Sequence, residues 1–287
     1  MNRYFENKVV IVTGGASGLG ESIAISLSDS GCRVIVIDNN PKSLETFTAN
    51  NRDIPGFFAD VTDEPGLRAV IDQVTEIYGI PSIVINNAGI FIAGEARDMN
   101  NRQWRECIEV NLLGMINMIS IVYPGMAERG TGQIVNIASL VSLAPLPLIV
   151  PYVASKYGIT GLTRSLRIEA RSLGVKVNLV CPGRLETSML ENAETVNAER
   201  EGFIPELPFK PYPLNKAANK ILSGIRKDKG MIIFPWYVYC LWYAERFSNR
   251  LLFPFYALAL KKFRKIRGQN TILQKAGEKK ESIEILN

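Results

Sequence analysis

The chain has 287 residues, 47% of them hydrophobic, enough to bury one large core, and it fits a single α/β domain better than two small ones. It contains no histidine, which excludes Ser-His-Asp hydrolysis and imidazole-based metal sites, so no metal is expected. The formal charge of +5 is mildly basic and gathers near the C-terminus at Lys261, Lys262, Arg264, Lys265 and Arg267, a pattern that suits an anionic surface and predicts no nucleic-acid partner.

The first predicted element is Val9–Val12, an apolar run too short for a signal segment that ends directly in glycines and therefore reads as a strand. Further β-branched runs at Val34–Ile37, Ile83–Ile85, Ile134–Ile137 and Val175–Val180 each precede a longer stretch with apolar residues at helical spacing. This βαβ rhythm with near-continuous apolar strands predicts a Rossmann-type doubly wound parallel sheet covered on both faces. Cys32, Cys107, Cys181 and Cys240 are far apart, and three fall in expected core elements. Reduced, buried thiols and a cytoplasmic setting follow.

Thr13-Gly14-Gly15-Ala16-Ser17-Gly18-Leu19-Gly20 follows the first strand and opens a helix. There, backbone N–H groups and the positive helix end can meet a pyrophosphate without interference from Cβ atoms. Gly14, Ser17, Gly18, Leu19 and Gly20 are the candidate contacts. Asp38 closes the second strand, and its carboxylate suits the adenosine ribose hydroxyls of NAD but repels the 2′-phosphate of NADP. The following Asn39 and Asn40 bring no cation, so NAD is expected in preference to NADP. The alternative for Asp38 is a solvated strand-end residue.

Tyr152 and Lys156 are four apart on a predicted helix and project from the same face. A free phenol titrates near about 10. A neighbouring ammonium favours its ionised form, so the pair is expected to exchange a proton nearer neutrality. A packed Tyr beside a solvated Lys is the alternative. Residues 140–151, just before, offer almost no polar side chain and are expected either to wall an apolar pocket or to pack beneath a lid. From Leu185 to Pro213 the pattern breaks into acidic and proline-containing sequence, read as that lid or as a mobile loop. Met189, Leu190, Phe203, Ile204, Leu207 and Phe209 would close it over an apolar ligand.

Over roughly residues 6–235 the chain resembles the short-chain dehydrogenase/reductase family. The resemblance rests on an ordered set: the glycine turn, Asp60-Val61, Asn86-Asn87-Ala88-Gly89, Asn111, Ser139, Tyr152-x-x-x-Lys156, and Pro182-Gly183 with Thr187. It implies that Asp60 and Val61 hold the adenine, that Asn87, Ala88 and Gly89 line the cofactor cleft, and that Pro182, Gly183 and Thr187 contact the nicotinamide side. It also implies catalytic roles. Tyr152 would exchange a proton with the substrate oxygen, Ser139 would bind that oxygen, Lys156 would hold the nicotinamide ribose and stabilise the phenolate, and Asn111 would hold a water leading to Lys156. Read singly, Ser139 is also a strand-end turn residue and Asn111 a helix interruption. Tyr157 departs from the small residue that many relatives carry there, which affects local packing or a subunit contact. A homodimer or homotetramer through the helices carrying Asn111 and Tyr152 is implied too.

Residues 1–235 are thus expected to form the catalytic domain, 236–267 an aromatic and basic helical extension, and 268–287 a polar tail. The extension is rich in Trp and Tyr, ends in the basic cluster, and has no apolar run long enough to span a bilayer. It would lie on a membrane surface as a peripheral contact, cover the pocket, or build a subunit interface. The expected activity is NAD-dependent interconversion of a hydrophobic secondary alcohol and its ketone, with Tyr152 as general acid/base. An NADP-dependent carbonyl reductase and a non-catalytic dinucleotide sensor or scaffold are the alternatives.

Overall fold

The computed structural model describes residues 3–189, 193–197 and 209–265. Its centre is a seven-stranded parallel sheet in the order β3-β2-β1-β4-β6-β7-β9. The strands are β1 (Val9–Thr13), β2 (Arg33–Asp38), β3 (Gly56–Phe58), β4 (Ile83–Asn86), β6 (Gly132–Ile137), β7 (Val175–Pro182) and β9 (Met231–Phe234). Two short strands, β5 (Ile92–Ala93) and β8 (Glu194–Thr195), pair with each other at one side. Every expected strand is present, and the doubly wound sheet predicted from the apolar rhythm is the one formed.

The strand residues send side chains alternately to the two faces, as the period of two requires. In β1, Val9 and Ile11 join one core while Val10 and Val12 join the other. The first face is covered by α3 (Glu64–Tyr78), α4 (Asn101–Ile108), α5 (Gly114–Glu128) and α6 (Val150–Ala170); the second by α1 (Gly18–Ser28), α2 (Pro41–Asn50) and α7 (Leu214–Arg226). Each fully buried Val, Ile or Leu contributes about 1.5–3 kcal/mol, so burial on both faces explains the near-continuous Val and Ile of β1 and β2. The rod Asn101–Glu128 is long and apolar enough to cross a membrane by length and composition. Here it buries Met115, Met118 and Val122 against the sheet as a core helix.

After β3 the chain returns across the sheet to place β4 on the other side of β1, so the strand order reverses between β1 and β4. A crevice opens at the carboxyl ends of the strands at such a reversal. Beyond β9 come α8 (Trp236–Phe247) and α9 (253–265), the helical extension expected from the aromatic sequence. They dock through Tyr237, Val238 and Phe263, all part of the first core. Leu190, Phe203, Ile204 and Leu207 of the expected lid, and the expected tail at 268–287, lie outside the described residues.

Candidate active site

The turn between β1 and α1 is built on backbone conformations that need glycine. Gly14 and Gly18 have φ of +58° and +55°, and a Cβ on Gly14 would lie 2.8 Å from Ala88 Cα. α2 is capped by Asn40, whose Oδ1 accepts the Ser43 N–H at 3.0 Å, whereas Ser17 at the start of α1 makes no side-chain cap. The first N–H groups of α1 therefore face the crevice without a side-chain acceptor, an arrangement that fits an anionic group such as a pyrophosphate. Asn87 ties the turn to β4: its Nδ2 donates to the Gly14 and Thr13 carbonyls at 2.9 and 3.2 Å.

The crevice is a cavity of about 800 Å³ running from Asp38, Asp60 and Val61 at the ends of β2 and β3 to Ser139, Tyr152 and Lys156, with Pro182, Gly183 and Thr187 along its far wall. Gly14, Ser17, Gly18, Leu19, Asn87, Ala88 and Gly89 also line it. Gly20 does not. A Cβ there would strike the Gly14 carbonyl and Asn87 Nδ2, so Gly20 lets α1 pack closely on the turn and is not a cavity wall as the motif suggested. The Asp38 carboxylate accepts the Ala16 and Asn40 N–H groups at 3.1 and 3.0 Å. Burial raises the Asp60 carboxyl, but hydrogen bonds from the Thr62 N–H and hydroxyl and from Asn39 outweigh it and hold the pKa low. The cations lining the cavity among the described residues, Lys156 and Arg184, follow β6 and β7, on the opposite side of β1 from Asp38.

α6 brings Tyr152 and Lys156 into the cavity. Its position is fixed by a buried chain of side chains across two strands: Asn86 Nδ2 donates to Asn136 Oδ1 at 2.8 Å, and Asn136 Nδ2 to Thr163 Oγ1 at 2.9 Å. Lys156 Nζ donates to the Ile137 carbonyl at 3.1 Å and lies 5.4 Å from the centre of the Tyr152 ring. The ammonium is thus directed to the backbone, and the expected lowering of the phenol does not occur. Burial pushes Tyr152 up to about 12, opposed by a hydrogen bond with the Ser139 hydroxyl. Burial pushes Lys156 down to about 8. The neighbouring thiols of Cys107 and Cys181, raised by burial to about 11 and about 12, stay neutral near pH 7.

Asn111 stands in a single π-helical turn, Glu109–Leu113, between α4 and α5. It is fully buried and does not line the cavity. Its Oδ1 accepts the Ile90 N–H at 2.7 Å and its Nδ2 donates to the Ile90 carbonyl at 3.0 Å and to Ser155 Oγ at 3.2 Å. It therefore holds the strand-end segment carrying Gly89 and Ile90 against α6. π-turns of this kind recur at functional sites.

Leu140, Val141, Leu146, Pro147 and Ile149 line the cavity, as expected of the 140–151 stretch, and Met189 joins them. Sequence reasoning missed Phe91, whose ring packs edge-on to Tyr152 at 4.8 Å. It also missed Tyr237. That phenol oxygen accepts the Arg184 N–H at 3.0 Å, and its ring stacks on Phe209 at 3.9 Å, bracing the segment after β7. Only the aromatic richness of 236–256 marked the region. Phe209, expected in a lid, belongs to this brace.

The family model for short chain dehydrogenase matches residues 8–198, two thirds of the chain. The chain belongs to the short-chain dehydrogenase/reductase family. It is accordingly an NAD(P)-dependent dehydrogenase or reductase. The 3-oxoacyl-[acyl-carrier-protein] reductase of Thermotoga maritima is 33% identical over 79% of this short-chain dehydrogenase and 94% of its own length. A short-chain dehydrogenase/reductase from Burkholderia phymatum in complex with NAD shares the fold at a TM-score of 0.76 and 21% identity, covering 86% of this chain and 95% of that one. A variant actinorhodin polyketide ketoreductase with NADPH gives a TM-score of 0.71 at 29% identity, over 79% and 95% of the two chains.

Proposed function

We propose that this short-chain dehydrogenase interconverts a hydrophobic secondary alcohol and its ketone with NAD. The observation that carries this reading is the convergence of Ser139, Tyr152 and Lys156, from two different elements, on one cavity whose other end is a glycine turn with an uncapped helix start. The dinucleotide would be held by Gly14, Ser17, Gly18 and Leu19 at its pyrophosphate, Asp38, Asp60 and Val61 at its adenosine, and Asn87, Ala88, Gly89, Pro182, Gly183 and Thr187 toward its nicotinamide. When bound, it supplies a carbon that accepts or donates hydride. Tyr152 exchanges the proton of the substrate oxygen, and Ser139 Oγ orients that oxygen beside the phenol. Lys156 offers a positive charge to a phenolate, though burial lowers the pKa of its ammonium. Asn111 positions the backbone at Gly89–Ile90.

NAD is favoured because Asp38 turns a carboxylate toward the adenosine end, where a 2′-phosphate would meet repulsion and, among the described residues lining the cavity, no cation at the ends of β2 and β3. An apolar substrate is favoured by Phe91, Leu140, Val141, Leu146 and Ile149 around Tyr152. The ketoacyl reductase named among the relatives is in keeping with a carbonyl on an apolar chain. Exposed Leu113, Ile116, Tyr157 and Ile168 on the Asn111 and Tyr152 helices favour a homo-oligomer through that face.

The test is reduced-dinucleotide formation from NAD and from NADP across a panel of bulky apolar and small polar secondary alcohols. Turnover with NAD at least about tenfold better than with NADP, confined to the apolar alcohols, is expected, tenfold corresponding to about 1.4 kcal/mol. Preference for NADP overturns the cofactor assignment, and preference for small polar alcohols overturns the reading of the pocket.

A further inference from the structure

The outer side of the C-terminal extension is left uncovered by the fold. On α8, Trp236, Tyr239, Tyr243 and Phe247 follow one another at three- and four-residue spacing, so they lie along one side of the helix. All four are exposed, Trp236 to 71% and Phe247 to 87%. The opposite side, with Tyr237 and Val238, is buried. Leu251 in the connection and Phe253 and Leu258 in α9 are exposed as well. Single exposed apolar residues need no explanation, but four exposed rings in one stripe along α8, followed by further exposed apolar side chains, mark a docking surface.

The charge around this surface selects its occupant. On the described part of the extension Arg246, Arg250, Lys261 and Lys265 are exposed, Arg264 is paired with Glu95, and the one acid, Glu245, is half-buried. Two copies of the same face would therefore oppose cation to cation. α8 and α9, of 12 and 13 residues, are about 18–20 Å long, too short for a hydrocarbon core of about 30 Å. Aromatic rings settle at the headgroup level of a bilayer, and each nearby Lys or Arg adds attraction to anionic lipid.

We propose that the outer face of α8 and α9 docks this protein on an anionic lipid surface, with the aromatic stripe at headgroup depth and Lys261 and Lys265 of α9 against the headgroups. The surface is anchored to the body of the protein beside the cavity. Phe263 is buried in the core, Arg264 Nε pairs with the buried Glu95 at 2.6 Å just beyond the cavity-lining Phe91–Ile92, and Tyr237 braces Arg184. Lipid docking is independent of turnover, so it stands or falls separately from the proposed reaction.

The experiment is flotation of the full-length protein with vesicles of phosphatidylcholine alone and of phosphatidylcholine mixed with phosphatidylserine. It compares the wild type with Tyr243→Ser/Phe247→Ser and with Lys261→Gln/Lys265→Gln. Far-UV circular dichroism and dinucleotide binding establish that both variants are folded. The wild type is expected to float with the anionic vesicles at low salt and to be released by high salt. Loss of two cationic side chains is expected to weaken partitioning roughly thirtyfold, and loss of two aromatics to abolish flotation. Absence of wild-type flotation, equal flotation of the variants, or equal binding to neutral vesicles would overturn the proposal. So would a fall in particle mass by light scattering for Tyr243→Ser/Phe247→Ser without any lipid binding, which assigns the face to a second copy of the chain.

Discussion

Lys156 is 4% exposed and Tyr152 8%, and their titrations are displaced in opposite directions by the same cause, the loss of water around a charge. The folded protein holds Lys156 at about 8 against the ordinary lysine value of 10.5, so between these limits the unfolded chain binds more protons and this group makes stability rise with pH. Below about 8 the net cost of the buried ammonium remains in full, on the order of 3 kcal/mol. Tyr152 acts oppositely between 10 and about 12, where the fold retains a proton that the unfolded chain releases, and stability falls with pH. Lys156→Met is therefore expected to stabilise the protein at pH 7 by about 1–2 kcal/mol while removing activity, with the gain shrinking toward pH 10. Urea unfolding of both proteins across that range checks it, and a variant less stable than wild type at pH 7 contradicts it. The raised phenol keeps Tyr152 protonated at neutral pH, the form in which the proposed ketone reduction would use it as acid.

At the scale of elements, the site depends on how α4, the π-turn and α6 are locked to the strand ends. Asn111 satisfies both backbone groups of the half-buried Ile90 from a fully buried position, so Asn111→Ala removes the side-chain partner of that N–H and C=O. A loss of about 1–3 kcal/mol in stability is expected, together with reduced activity, measured by thermal unfolding beside steady-state rates. Unchanged stability would show that the Ile90 segment is held by other contacts. The Tyr152–Lys156 pair was legible in sequence because helical spacing alone aligns i and i+4, and Asp38 because the acid follows the glycine turn at a fixed interval. The two roles within the glycine motif were not separable there: Gly18 borders the cavity while Gly20 only admits the Gly14 carbonyl, and both read simply as glycine. The direction of the Lys156 ammonium was hidden as well, since helical spacing places two side chains on one face without saying which carbonyl on β6 the second will meet.

For the whole molecule, the near-continuous apolar strands dictated a two-faced parallel sheet, and the reversal of strand order at β1 and β4 places the cavity where the glycine turn, the Asn86–Gly89 corner and α6 meet. That architecture was readable because strands buried on both faces leave an unbroken Val/Ile signature. The docking of the extension was not, because Tyr237 and Phe263 are buried while Trp236 and Phe247 are exposed, and aromatic content alone does not distinguish them. The central claim is that this assembled cavity moves a proton through the Tyr152 phenol. The most direct measurement is the turnover of Tyr152→Phe, with dinucleotide affinity determined on the same sample. A fall of about 10²–10⁴-fold in kcat with dinucleotide binding preserved is the expected result, and turnover near the wild-type rate would contradict the account.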